Sequence, residues 1–215
     1  MVSGRPMAEM NESPPLIIGP SDLIMLSDRA RQSYEKQAEH WRNLPEAEPP
    51  TPWRRLGRIP AGDFQALGYI DASDYLLLVT LYGRELWHCP TLTRIAADDN
   101  DQVPSYSDLV RLRSPGIGQM SNRIVRLAGV HGGGLPNGTV DGWSLELVSI
   151  SIGEQYLILV GPHGPGEDGE IYKLVNAWVV APFGFSDTGL IFIINDGMGD
   201  IWVYGRDSID TRAGA

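Results

Sequence analysis

Cysteine is almost missing from this sequence. Its single example, Cys89, rules out an intrachain disulfide framework and any cysteine-rich zinc site. Lysine is nearly as scarce, with Lys36 and Lys173 alone, so a lysine nucleophile has few candidates and no Gly-x-x-x-x-Gly-Lys phosphate loop exists. No Gly-x-Ser-x-Gly elbow is present to carry a hydrolase serine. The four histidines, His40, His88, His131 and His163, form neither a His-x-His nor a His-x-x-x-His pair, so no transition-metal site is expected. No stretch approaches the roughly 20 apolar residues of a membrane helix. The opening MVSGRPMAEMNESPP has no apolar core and does not read as a signal peptide, so cytoplasmic residence is the expectation.

Bases are outnumbered, 17 against 27 acids, giving a net charge of −10 over 215 residues. Such a surface repels phosphate backbones and disfavours nucleic acid. It attracts a basic partner, or it serves solubility alone. The imbalance is local. Residues 1–60 hold eight bases and eight acids, residues 61–110 two bases and eight acids, and residues 111–215 seven bases and eleven acids.

What the sequence has in quantity is glycine (25) and proline (16), which imply many turns. Residues 1–19 are polar and proline-containing and predict a loose tail, as do 208–215. Within 20–44, Leu23, Leu26, Ala30, Tyr34, Ala38, Trp41 and Leu44 recur every three or four residues and predict one amphipathic helix, capped by Ser21 or Asp22 and stopped by Pro45. Tyr34 and Trp41 are costly to leave exposed, so this helix should pack on its own domain. A proline-rich linker, 45–53, follows. From 54 to 207 short apolar runs alternate with turn residues, predicting a single β domain with strands near 65–70, 75–82, 84–88, 92–95, 123–128, 143–151, 155–161, 170–174, 177–182, 190–195 and 200–204. The fold class is mainly β: an antiparallel meander stack preceded by one helix.

Two segments of the β part align with one gap. In 68–89, Gly68-Tyr69-x-Asp71, the run Tyr75–Val79 and Leu86-Trp87 match Gly184-Phe185-x-Asp187, Leu190–Ile194 and Ile201-Trp202 of 184–204. A fainter third copy runs through 149–160 to Tyr172. Each unit is a strand, an Asp/Gly turn, a buried strand, another turn and an aromatic-bearing strand. The units resemble the blades of WD-type β-propellers, through Ser186-Asp187-Thr188-Gly189 and Ile201-Trp202. They lack that family's Gly-His pair and Trp-Asp dipeptide. A blade takes about 40–45 residues, so 53–207 has room for three to four. The resemblance implies either a small propeller-like ring or an open stack of meander sheets.

The stretch VHGGGLPNGTVDGW, 130–143, contains a His-Gly-Gly-Gly that serves as an oxyanion loop in some hydrolases. With no nucleophile elbow and no strand–helix alternation, it reads instead as a glycine-rich connection. Two acidic clusters are the candidate contact sites: Asp98, Asp99 and Asp101, and Glu167, Asp168 and Glu170. The first lacks the alternating ligands, central glycine and closing glutamate of a calcium loop. Each is either a solvated loop or a partner-binding tip. Trp87, Trp143, Trp178 and Trp202 sit in strand-like text and read as core.

Absence of catalytic motifs, acidity and size together suggest a binding protein with no cofactor. Its partner would be a basic or cleft-bearing protein, most concretely a toxin blocked by an immunity or antitoxin-type inhibitor. The alternative is a small-ligand or carbohydrate binder, or a hydrolase using paired carboxylates, which requires two acids to meet in a pocket.

Overall fold

The computed structural model of the chain describes residues 28–98, 108–151, 154–163, 170–176 and 182–207. The helix α1 (Asp28–Asn43) comes first. Five strands follow: β1 (Arg54–Pro60), β2 (Phe64–Tyr69), β3 (Tyr75–Thr80), β4 (Arg84–His88) and β5 (Thr93–Asp98). Next are the short β6 (Arg113–Pro115), β7 (Ile124–Arg126) and β8 (Ala128–Gly129). The chain continues through β9 (Ser144–Ser151), β10 (Glu154–Val160), β11 (Ile171–Asn176), β12 (Phe183–Phe185), β13 (Ile191–Asn195) and β14 (Asp200–Gly205). All strand pairs are antiparallel. The sheet orders are β1-β14-β13-β12, β11-β10-β9, β5-β4-β3-β2-β8 and β6-β7, and each sheet is open at its edges among the described residues.

The continuous apolar runs explain how these sheets stack. Side chains alternate faces along a strand, so a run such as Ile191–Ile194 must bury both faces. It does. Ile191 and Ile193 pack with Ile201, Val203, Leu76 and Leu78, between the β1-β14-β13-β12 sheet and the five-stranded sheet. Phe192 and Ile194 pack with Tyr204, Trp143, Leu157 and Leu159, against the β9–β11 sheet. The same alternation repeats in the outer layers. Leu77 and Val79 turn toward Val125 of the β6–β7 ribbon and Leu127 just after it. Tyr156, Ile158 and Val160 turn toward Ala38 and Trp41 of the helix. The order of layers is therefore helix, three-stranded sheet, four-stranded sheet, five-stranded sheet, ribbon.

The helix packs on its own domain, as Tyr34 and Trp41 require. The Tyr34 hydroxyl donates to the Ile150 carbonyl. Arg42 grips Glu154 through two bonds of 2.7 and 2.8 Å. The buried Lys173 (3% exposed) donates to the carbonyls of Trp41 and Arg42 at 3.1 and 3.4 Å. It thus satisfies acceptors that a helix end leaves free, and places a cation at the negative end of the helix dipole. Residues 20–27, including the expected caps, lie outside the described residues. No described helix is long and apolar enough to cross a membrane.

Three of the described strands fall outside the expected ones. β1 lies just past the expected linker, in the part of the β domain where no strand was expected; β6 is three residues long; and β12 begins beyond the expected 177–182. The proline-rich segment is itself docked: Ala47 N–H bonds the Lys173 carbonyl at 2.9 Å, and Trp53 is buried. Trp53 packs edge-on against Trp143 and Phe192, at centroid distances of 6.0 and 4.9 Å. Of the expected strand at 177–182, residues 177–181 lie outside the described residues.

Beneath Trp53 lies a buried ion pair. Arg206 Nη1 and Nη2 reach the two carboxylate oxygens of Asp141 at 2.5 and 2.7 Å, and Arg206 Nε donates to the Gly189 carbonyl at 2.9 Å. The guanidinium lies 4.5 Å from the Trp53 ring centroid. The side chains are 0% and 3% exposed. Burial pushes the Asp141 carboxyl up, but hydrogen bonds from Arg206 and Thr139 outweigh it and hold the group below its ordinary value.

Removing one partner of this pair strands the other charge in the core. Arg206→Ala or Asp141→Ala should each cost about 3–5 kcal/mol of unfolding free energy, measured by urea denaturation, while Asp141→Leu with Arg206→Met should recover most of that loss. Acid weakens the helix dock too. Hydrogen bonds from Arg42 and Tyr156 lower Glu154 from an ordinary 4.5 to about 2. Its contribution is full above the ordinary value and fades as pH falls toward about 2. The urea midpoints of wild type and Glu154→Gln should therefore differ at neutral pH and converge across that acid window.

Candidate functional site

The two aligned segments form matching units. In the first, Ile70 N–H bonds the Tyr75 carbonyl and Ser73 N–H the Ile70 carbonyl, at 2.9 and 3.1 Å. In the second, Ser186 N–H bonds Ile191 and Gly189 N–H bonds Ser186, both at 2.9 Å. The two turns lie side by side and clasp each other. Asp74 of the first accepts from Ser186 Oγ (2.8 Å) and Thr188 Oγ1 (2.5 Å) of the second. Asp187 of the second accepts from Ala72 N–H of the first at 3.2 Å.

Short polar side chains close these turns, as turn chemistry predicts. Ser73 Oγ donates to the Ile70 carbonyl at 2.7 Å, and Thr188 Oγ1 accepts from Leu190 N–H at 3.2 Å. Asp71 makes none of these bonds. It projects with Asp187 at the rim of a depression of about 400 Å³, which Tyr69, Arg126 and residues Gly134, Leu135 and Pro136 complete. Both aspartates and Arg126 are exposed, and among the described residues no ion pair joins Asp71, Asp187 or Arg126 to an opposite charge. Tyr69 is 6% exposed, and its hydroxyl has no hydrogen-bond partner among the described residues. Burial, with the nearby Cys89 and Asp74, pushes that hydroxyl's pKa well up, so it stays an O–H donor.

The repeat glycines build the walls. A Cβ on Gly68 would stand 1.9 Å from the Arg126 carbonyl oxygen. One on Gly184 (φ +154°) would stand 2.4 Å from Leu135 Cβ. Each glycine admits one wall of the depression. The glycine-rich stretch supplies one of them. Gly129 and Gly132 exchange two backbone hydrogen bonds, at 2.8 and 2.9 Å, closing a tight turn. The Gly132 N–H is therefore spent on structure rather than turned to an oxyanion. Beyond the turn, the Pro136 carbonyl accepts from Phe185 N–H at 2.7 Å and the Asn137 carbonyl from Leu145 N–H at 2.8 Å, stapling the four-stranded sheet to the three-stranded one.

Of the acids singled out from sequence, the two that are described fall elsewhere. Asp98 ends β5 and pairs with the buried Arg84 at 2.5 Å, so its carboxylate already serves the fold. Glu170 is exposed, accepts a hydrogen bond from the Tyr172 side chain, and gives its own carbonyl to Gly161 N–H at 2.9 Å. Asp99, Asp101, Glu167 and Asp168 lie outside the described residues. The depression joins acids from distant turns, which sequence spacing cannot reveal. The repeat alignment did hold the signal, since it sets Asp71 opposite Asp187. Cys89 is fully buried in the core and its thiol is pushed up by burial, in keeping with a packing role. Among the described residues no group of three or more His, Cys, Asp or Glu side chains could hold a metal. No family model matches the chain, and no curated protein or solved structure is detectably similar to it.

Gly68→Ala and Gly184→Ala force a methyl into backbone or wall atoms, the second at a backbone angle that side chains avoid. Each should lower stability by roughly 1–3 kcal/mol in thermal unfolding, whereas Gly134→Ala, which meets open space, should be near neutral.

Proposed function

We propose that this chain is an acidic binding protein that neutralises a basic, cleft-bearing protein partner in the manner of an immunity or antitoxin-type inhibitor, acting in the cytoplasm. One observation carries the reading. Asp71 and Asp187, from equivalent turns that clasp each other, stand together at a concave site with no cation among the described residues paired to either. By contrast Asp98, Asp141, Asp200 and Glu154 are each matched to an arginine within the fold. Two carboxylates lining one depression are suited to a guanidinium or ammonium group of a partner, because a charge-assisted bond is stronger than a neutral one. The wider acidity would draw such a partner in and raise the association rate. Inhibition follows by occlusion. In this reading Asp99, Asp101, Glu167, Asp168 and Glu170 are further candidate contacts for the partner.

The same reading takes the meander sheets as propeller-like blades of the WD type. Two features support it: the matching turns of the two units, and the pairing of β1 with β14, which joins the start of the β part to its end within one sheet. A second reading, a small-ligand site or a paired-carboxylate hydrolase, is favoured by the concavity of the site. It requires turnover or binding of a neutral sugar, which the first does not.

Titration calorimetry with hexa-arginine provides a defined test. Binding should weaken as salt rises, and Asp71→Asn with Asp187→Asn should lower affinity about tenfold or more. Equal affinity in the double variant would sink the assignment of the anchor.

A further inference from the structure

The depression is not uniformly acidic, and that asymmetry points to the shape of its occupant. Arg126 lines it together with Asp71 and Asp187. Residues 109–140 contain four arginines and no acid, a basic island in a chain of net charge −10. Arg126 stands opposite Arg113 across the β6–β7 ladder. The bonds Leu127 N–H to Leu112 O and Gly116 N–H to Arg123 O fall on alternate pairs, so Arg113 and Arg126 meet at a position without ladder bonds, where side chains come closest. Like charges placed directly opposite repel. Neither side chain has a described anionic partner to relieve this. An anion at Arg126 would. A cation at Asp71 and Asp187 would in turn relieve those two carboxylates.

We infer that the depression receives the C-terminal residue of the partner chain, an arginine or lysine, with its side-chain cation between Asp71 and Asp187 and its terminal carboxylate on Arg126. This rests on the binding reading above and deepens it. A residue inside a partner's loop offers the cation but no carboxylate, and leaves the Arg113–Arg126 repulsion in place. A run of basic residues sets a second cation against Arg126. A terminal basic residue carries both charges at the separation of one amino acid, and a space of about 400 Å³ is ample for one such residue. Free arginine shares this chemistry, and the test separates the two sources.

The probes are the peptide Gly-Gly-Ser-Gly-Arg with a free C-terminus, the same peptide amidated, free L-arginine and hexa-arginine, each titrated calorimetrically into the full chain. The free-acid peptide should bind about tenfold or more tightly than the amide, and also more tightly than free arginine. Arg126→Gln, at an exposed position where the fold is retained (checked by its thermal midpoint), should abolish the advantage of the free acid over the amide. Asp71→Asn with Asp187→Asn should weaken both peptides. Equal binding of acid and amide by the wild type would overturn this inference while leaving the binding reading intact, provided hexa-arginine still binds. Free arginine binding as tightly as the peptide would overturn the partner terminus as the source. Failure of every probe, hexa-arginine included, would overturn both.

Discussion

The ion pair between Asp141 and Arg206 is the joint on which this molecule turns. Arg206 follows β14, Asp141 precedes β9, Trp53 precedes β1, and Gly189 sits in the turn between β12 and β13. The Arg206 guanidinium touches the other three. Charges are expensive to bury, and this one is tolerated because both carboxylate oxygens and a carbonyl take its protons. The carbonyl it holds belongs to the turn that clasps its counterpart at residues 70–75. The geometry of the candidate site is thus set from beneath by a contact that never reaches the surface.

Much of the architecture was legible because strand periodicity survives burial. The runs at 75–79, 156–160 and 191–194 read as buried strands, and each lies at the centre of a sheet with both faces covered. β1 was less legible, because Arg54, Arg55 and Arg58 make its text look solvated. Only the pairing with β14 gives it a place, and that partner lies more than a hundred residues on. The candidate site was half legible. Alignment of the two units set Asp71 beside Asp187 as equivalents, yet turn chemistry alone accounted for both. The structure separates the roles: Ser73, Asp74, Ser186 and Thr188 do the bonding, and Asp71 is left outward. Arg126 carried no signal, since nothing in its neighbourhood of sequence points to residue 71 or 187.

The glycine-rich stretch shows how one segment can serve several layers. Gly132 and Gly133 adopt positive φ angles, 105° and 84°, which other residues rarely take. They let the chain reverse tightly against the five-stranded sheet. Leu135 and Pro136 then wall the depression, the carbonyls of 136 and 137 staple two sheets, and Asp141 ends the stretch inside the core. A segment that reads as a simple connection is thus tied to several layers at once.

The pairing of β1 with β14 has a consequence for the order in which the molecule can be built. The central layer takes residues 54–60 and residues 183–205 together. During synthesis the flanking five-stranded sheet is complete long before the last strand leaves the ribosome, while β1 waits with Leu56 and Ile59 uncovered. The middle of the stack therefore closes last. Contacts of such high sequence separation slow folding and prolong exposure of an unpaired edge. The arginines of β1 keep that waiting edge charged, the ordinary protection of an open strand against pairing with the wrong chain.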